Sequence, residues 1–275
     1  MIRPVIAVLL AVPLLAQPTL TPAGIQDILR RARQADDANA LIEQNYVFEQ
    51  RTETKQVDSS GQVKSKEVET YDTILSGGRP YRRLIRKNDK PLPPAEEKKE
   101  QARQQKEIDD RNKETPAERE KALAKEEARR QKNRELAHEA EDAFQFRLVS
   151  EDAANWQFEL TPRPGFQPHS RETAVLKHFR GHLWISKKDY NWTKLDVEAT
   201  DDVSFGLVIA RLDKGAHFVA ERIRVNDEVW LPKRIAGGLA ARVALIKKYR
   251  IEFETTSSHF RRFSSDSKLV TEPLK

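Results

Sequence analysis

Gly181-His182-Leu183-Trp184-Ile185-Ser186, followed after three residues by Tyr190-Asn191-Trp192-Thr193-Lys194-Leu195-Asp196-Val197-Glu198, is the stretch on which the fold turns. Polar and apolar side chains partly alternate in both runs, and aromatic and branched residues are frequent, as in half-buried strands. The short break between them fits an antiparallel connection and leaves no room for a crossover helix. Upstream, the same pattern marks Phe144 to Val149, Trp156 to Leu160 and, beyond the turn Thr161-Pro162-Arg163-Pro164-Gly165, Ala174 to Phe179. Downstream it marks Leu207 to Leu212, His217 to Val225, Val229 to Arg234, Ala240 to Lys247 and Arg250 to Thr256. About ten strands joined by hairpin-length turns predict one large antiparallel sheet curled around apolar contents. A parallel doubly wound fold lacks the helices it needs between strands.

The period of two also governs the region before residue 90. Tyr46 to Glu53, the turn Asp58-Ser59-Ser60-Gly61 and Val63 to Leu75 predict a long hairpin, and Gly77-Gly78-Arg79-Pro80 turns the chain into a further strand at Tyr81 to Ile85. In front of this hairpin, Thr21-Pro22 supplies an N-cap and a first-turn proline. Ile25, Ile28, Leu29, Ala32, Ala35, Leu41 and Ile42 then follow at helical spacing, which predicts a helix over 22 to 43 whose stripe covers the sheet. Arg30, Arg31 and Arg33 on the same segment also suit a helix resting on a membrane surface.

Residues 95 to 143 separate the two strand-rich parts. They hold 13 Lys/Arg, 15 Asp/Glu and no aromatic residue. Thr115-Pro116-Ala117-Glu118 is a capping box, so two helices, 95 to 114 and 116 to 143, are predicted. Their apolar stripe (Leu123, Ala124, Ala128, Leu136, Ala137, Ala140) is too thin to be required by a core. Either the pair is a solvated hairpin held by i,i+4 pairs, or it is an arm over a cavity or against a partner. The net charge of the whole chain is +6, and because this block is slightly acidic the basic excess belongs to the rest.

Met1 to Ala16 place Arg3 before the apolar run Val5 to Val12 and end on Leu14-Leu15-Ala16. That is the pattern of a cleaved export signal, too short for a membrane span of about 20 residues. The expected location is therefore periplasmic or secreted, soluble and without a lipid anchor. No cysteine is present, which excludes disulfides, thiol catalysis and acylation on cysteine.

Gly181 to Ser186 with Tyr190 beyond it, the charged strand Thr193 to Glu198, the later Val229-Trp230-Leu231-Pro232 and the closing runs Ala240 to Lys247 and Tyr249 to Phe253 resemble the LolA-like superfamily. Its members are periplasmic carriers of outer-membrane lipoproteins, related lipoprotein-binding proteins and envelope-stress sensors. The resemblance covers residues 22 to 90 and 144 to 263. It implies a single domain over 17 to 275: a strongly curved antiparallel half-barrel covered by helices, with an apolar cavity for acyl chains. Two departures stand out: Ser186 occupies a position where aspartate is common, and 95 to 143 is a charged helical insertion.

No catalytic constellation accompanies this pattern. His138, His169, His178, His182, His217 and His259 are scattered without metal-ligand spacing, no Gly-x-Ser-x-Gly elbow occurs, and Gly77-Gly78 and Gly237-Gly238 lack a phosphate-loop context. Paired-cysteine fingers and glycine-rich RNA-binding signatures are absent as well, so nucleic acid is not an expected partner. The expectation is a non-enzyme without cofactor or metal that binds or transports a hydrophobic ligand: an acyl chain, a lipid or a lipidated protein. The candidate ligand-binding residues are Phe48, Trp184, Trp192, Trp230 and Tyr249, all in predicted strands. Strand phase decides which of them face a cavity, because a slip of one residue inverts every assignment. The alternative is a protein-interaction or stress-sensing module in which the charged helices meet an envelope partner. Transient contact with an anionic membrane surface suits the basic excess, and a hydrolase assembled from distant strands is the third reading.

Overall fold

The sheet of this chain begins in its middle. In the computed structural model, which describes residues 20–170, 173–205, 210–243 and 247–263, helix α1 (Pro22–Glu43) leads into β1 (Tyr46–Val57). From there the chain steps outward through β2 (Val63–Ser76), β3 (Arg79–Lys87) and the two-residue β4 (Lys90–Pro91). Helices α2 (Pro94–Asn112) and α3 (Pro116–Asp142) carry it to the other edge, where β5 (Phe144–Glu151) starts the return. The path then runs through β6 (Asn155–Pro162), β7 (Phe179–Ser186) and β8 (Trp192–Ala199). A short hairpin of β9 (Val203–Phe205) and β10 (Ala210–Leu212) leans on β12. The path continues through β11 (His217–Val225) and β12 (Val229–Val243) to β13 (Lys247–Arg262), which pairs with β1. All pairings among the described residues are antiparallel, and β4 and β5 end the eleven-strand path.

Register then sorts side chains by face. One cross-strand row runs Phe146, Leu160, Gly181, Val197, Phe218, Gly237, Phe253, Thr54, Glu67. Two residues along lies a second: Leu148, Phe158, Leu183, Leu195, Ala220, Ile235, Thr255, Thr52, Glu69. Strand neighbours point to opposite faces, so both rows share one face, here called inner. The row between them is outer: Arg147, Glu159, His182, Asp196, Val219, Ala236, Glu254, Glu53, Val68. From β5 to β1 the inner rows carry no charge, whereas the outer face is linked by ion pairs such as Arg147–Glu159 (2.6 Å) and Arg234–Glu254 (2.5 Å) and by a His217–Asp196 hydrogen bond (2.5 Å). Lys66 and Lys55, at 3.0 and 3.1 Å, hold the Glu53 carboxyl at a pKa of about 2.

Helix α1 covers the inner face on the β5–β8 side. Its cap is the expected one: Thr21 Oγ1 accepts from Gly24 N at 3.2 Å, with Pro22 in the first turn. Ile28, 5% exposed, packs on Phe158 and Ile185, which are fully buried, with Ile25, Leu29, Ala32 and Leu183 around them. Each such side chain contributes about 1.5–3 kcal/mol on leaving water. A second cluster joins Ala143, Phe144 and Leu160 to Phe166, Leu176 and Phe179, and a third joins Tyr46, Val229 and Leu231 to Ile42 and Phe260.

Helices α2 and α3 bury no residue, in line with their thin stripe, and the capping box at Thr115 forms in both directions. They are tied down by polar contacts instead. Arg111 Nη1 donates to the carbonyls of Ser76 (2.8 Å) and Arg79 (2.9 Å), and Arg79 pairs with Glu114 at 2.7 Å. The pair is also the connection between the two ends of the strand path, from β4 to β5.

Two strand assignments from the sequence need correction. Ala174 to Phe179 is not a strand: Thr173–His178 form a 3-10 turn, because Ser170 Oγ accepts from Thr173 N (3.1 Å) and Ser170 O accepts from Ala174 N (3.1 Å). Runs 229–234 and 240–243 are one 15-residue strand, β12, through Gly237-Gly238, while 244–246 lie outside the described residues and Lys247 begins β13. There the glycines relieve packing and make no turn. A Cβ on Gly237 would lie 2.3 Å from Phe218 Cδ1, and one on Gly181, in the same inner row, 2.0 Å from the Asp196 carbonyl oxygen. The expected strand Leu207 to Leu212 lies partly outside the described residues, as does all of the export segment.

These two glycines allow a paired test. Gly237→Ala is expected to lower stability by about 1–3 kcal/mol and to recover most of it when combined with Phe218→Leu, since a side chain can yield. Gly181→Ala, which meets backbone, is expected to cost at least as much without rescue by any neighbouring side-chain truncation. Urea unfolding midpoints of the single and double variants check both.

Candidate functional site

The buried stripe of α1 changes character halfway along. Ile25, Ile28, Leu29 and Ala32 are apolar, but Asp36, Asn39 and Glu43 continue at the same spacing and meet the strands β8, β11 and β12. Asp36 Oδ1 accepts from Trp192 Nε1 at 3.1 Å and from Arg222 Nη1 at 2.6 Å. The Arg222 guanidinium lies 3.9 Å from the centre of the Trp192 ring, so the cation is held by a carboxylate and a π face together. One step along β11 the same arrangement recurs: Asp189 Oδ2 accepts from Trp230 Nε1 at 2.9 Å and from Arg224 Nη1 at 2.8 Å. Asn39 binds the Trp230 backbone in both directions, donating to its carbonyl at 2.9 Å and accepting from its N–H at 2.7 Å.

Two of the five sequence candidates, Trp192 and Trp230, are thus anchored by their indole N–H groups in a polar floor under α1. Phe48 is half-buried against Phe260, ring centres 5.5 Å apart. Trp184 stands on the outer face. It is in register with Gln157 and Lys194, its neighbour Ile185 is in the core, and the Lys194 ammonium sits 4.6 Å over its ring. The backbone of Tyr249 pairs with Ala241 in β13, and its side chain lies outside the described residues. The sequence reading missed Asp36, Asn39, Glu43, Asp189, Arg222 and Arg224. The helical spacing of 36, 39 and 43 behind Ile25 and Ile28 was the available signal.

The apolar side of the site is the part of the inner face that α1 leaves open. Ile235 of β12 keeps 39% of its surface, against none for Phe158 in the same row. Beside it stand Phe253, Thr52, Thr54 and Thr255, all partly buried, and Thr52 and Thr255 bond each other through their hydroxyls at 3.0 Å across the β1–β13 seam. Three cavities also appear. One of about 620 Å³ follows Pro116, Arg119, Leu123 and Glu127 of α3, and one of about 280 Å³ lies among Leu29, Arg33, Glu141 and Phe146. A polar one of about 320 Å³ on the outer face is lined by Glu159, Arg180, His182, Asp196, Glu198 and His217. No group of three or more His, Cys, Asp or Glu among the described residues is placed to hold a metal ion.

No protein-family model matches the chain, and no curated protein matches it significantly. Among the described residues no helix is long and apolar enough to cross a membrane.

Glu43 gives the site a pH signature. Burial pushes its carboxyl above the ordinary value; the Arg222 charge opposes this and Asp36 adds to it. A carboxyl whose folded pKa is raised stabilises the fold below its unfolded pKa, and that contribution is lost as pH rises through the folded value. Glu43→Gln is therefore expected to raise the melting temperature at pH 7 and to make little difference at pH 4. Scanning calorimetry across that range checks the sign, and a lower melting temperature for the variant at pH 7 would show Glu43 acting chiefly as the partner of Arg222.

Proposed function

We propose that this chain is a noncovalent carrier of the cell envelope, holding an acyl chain, a lipid or a lipidated protein against the inner face of its sheet. The observation that carries the reading is the separation of charge by register: inner rows without charge from β5 to β1, and an outer row of ion pairs. A protein that needed its inner face only as core would cover it throughout, yet Ile235 remains accessible. The binding surface falls on Phe218, Ile235 and Phe253 of the two inner rows, with the threonines of β1 and β13 beside them. The Thr52–Thr255 hydroxyl pair is already bonded, which lowers the cost of covering it with alkyl. An acyl chain burying about ten methylenes gains on the order of 8 kcal/mol gross, the scale of micromolar binding before ordering costs.

The LolA-like resemblance supports the same reading and supplies its finer form, a curved half-barrel with helices over its open side and a helical insertion beside them. The export-type N-terminus supports an envelope location. Trp192 and Trp230 act in this reading as the fixed floor beneath α1, and Trp184 contributes on the outer face, away from the ligand.

A second reading is favoured by one observation. The seam between α1 and α3 is polar throughout its named contacts: Arg33–Glu141 (2.5 Å), Arg33–Asp142 (3.0 Å), His138–Asp37 (2.8 Å) and Arg130–Gln44 (3.0 Å). Leu41 and Leu123 stay 60% and 40% exposed on these helices. An arm attached in this way suits an interaction or stress-sensing role in which α2 and α3 engage an envelope partner.

Displacement of a fluorescent fatty-acid probe tests the carrier reading. The chain is expected to bind the probe at micromolar concentration, and Ile235→Glu and Phe253→Glu to weaken binding more than tenfold, because each would bury a carboxylate against alkyl. Val219→Lys, in the outer row, is expected to leave it unchanged. No probe binding, or equal effects from both faces, would overturn the reading.

A further inference from the structure

The two inner rows end alike. One runs through Ile235, Thr255 and Thr52 and reaches Glu69 on β2; the other runs through Gly237, Phe253 and Thr54 and reaches Glu67 on the same strand. Three strand spacings separate Ile235 from Glu69, about 14 Å. Charge therefore enters both rows at one strand, beside the open apolar surface. Tyr71 continues this face two residues beyond Glu69, and Arg82 of β3, in register with Thr73, stands next to it.

These side chains form one unit. Tyr71 Oη donates to Glu69 Oε2 at 3.0 Å, and the Arg82 guanidinium lies 4.5 Å from the centre of the Tyr71 ring. Burial and the Glu69 carboxylate raise the Tyr71 hydroxyl above its ordinary pKa, so it remains a donor. Neighbouring charges have partners of their own: Lys87, opposite Glu69, pairs with Glu96 at 3.0 Å, and Glu100 of α2 pairs with Arg103 at 2.6 Å. Arg82 is exposed and has no ion-pair partner among the described residues. Glu67 is exposed as well. Charges of both signs thus face the same side around one tyrosine, with no ion pair between them.

We propose that this flank is the head-group end of the ligand site, selecting an acyl ligand whose head carries both a phosphate and a primary ammonium: Arg82 takes the phosphate oxygens, and Glu67 and Glu69 the ammonium. It rests on the carrier reading for the alkyl part of the ligand. A purely anionic head would meet two glutamates, and a purely cationic one would meet Arg82; a zwitterion satisfies all three. The ammonium is primary because carboxylates accept N–H donors, whereas a quaternary ammonium calls for an aromatic cage, and here Arg82 already lies over the Tyr71 ring.

Displacement of the fluorescent fatty-acid probe by lysolipids of one acyl chain, each below its micelle concentration, tests this on the full chain. Lysophosphatidylethanolamine is expected to compete at least about fivefold more strongly than lysophosphatidylglycerol, which lacks the amine, and than lysophosphatidylcholine, whose ammonium has no N–H. Free phosphoethanolamine is expected not to compete at these concentrations, because the alkyl part supplies most of the affinity. Glu67→Gln/Glu69→Gln is expected to remove the preference for ethanolamine over glycerol. Arg82→Gln is expected to weaken all three lysolipids about fivefold while an uncharged monoacylglycerol competes as before. Arg147→Gln, on the outer face, is expected to change none of these. If a glutamine variant does not unfold cooperatively, Arg82→Lys and Glu69→Asp take its place, with the same losses in smaller measure. Equal competition by the three heads, or a preference that survives in the folded variants, would overturn the head-group assignment and leave the carrier reading standing. Absence of binding by the probe and by every acyl ligand would overturn both.

Discussion

Everything in this architecture depends on the pairing of β1 with β13. Residues 46 and 262 stand opposite each other, so a contact between strands far apart in the sequence joins the sheet at its centre. Without that pairing the strand path would divide into β1–β4 and β5–β13, each with an unpaired edge. A pairing at this sequence separation carries a large loop-closure cost, and slow folding is the expected consequence. The same topology explains why a charged helical pair sits in the middle of the sequence. Once the first strands have run to one edge and the later ones must start at the other, something has to cross, and α2 and α3 do so without entering the core.

Fixing the seam fixes the register, and register fixes chemistry. A shift of one residue would place Glu53, Glu254 and Asp196 among Phe158, Leu183 and Phe218, at a cost no ion pair could recover inside. Two glycines of the inner row permit the close approach of their neighbours. Under α1 the problem is different, since Arg222 and Arg224 point to the helix-covered side. The chain answers it with two carboxylates, Asp36 and Asp189, each shared between an arginine and an indole. Partly buried charges paired in this way hold α1 against the strands, whereas loss of a carboxylate would leave its arginine uncompensated. The helix can then cover one part of the inner face while Ile235 stays open.

Local chemistry made much of this legible in the sequence. Thr21-Pro22 and Thr115-Pro116-Ala117-Glu118 marked the starts of α1 and α3 because caps are encoded within four residues, and period two marked most strands. Ala174 to Phe179 was misread since a short apolar run has no period of its own and the deciding contacts, from Ser170, are side chain to backbone. Gly237-Gly238 resembled a break because a glycine that makes room for Phe218 looks, in one dimension, like a glycine that turns the chain. The assignment of Trp184 to the outer face and of Trp192 to Asp36 needed the register of β7 and β8, a relation between strands that no single strand contains. The pairing of β1 with β13 is the extreme case, separated by about two hundred residues.

The central claim is that an alkyl chain lies on the inner face between β12, β13 and β1. Methyl NMR of the protein with a fatty acid carrying a nitroxide near its terminal carbon tests it most directly. Signals of Ile235, Leu239 and Ile251 are expected to broaden at equimolar ligand while Val219 and Ile223, on the outer face, stay sharp. Uniform broadening, or broadening centred on Val219 and Ile223, would contradict the account.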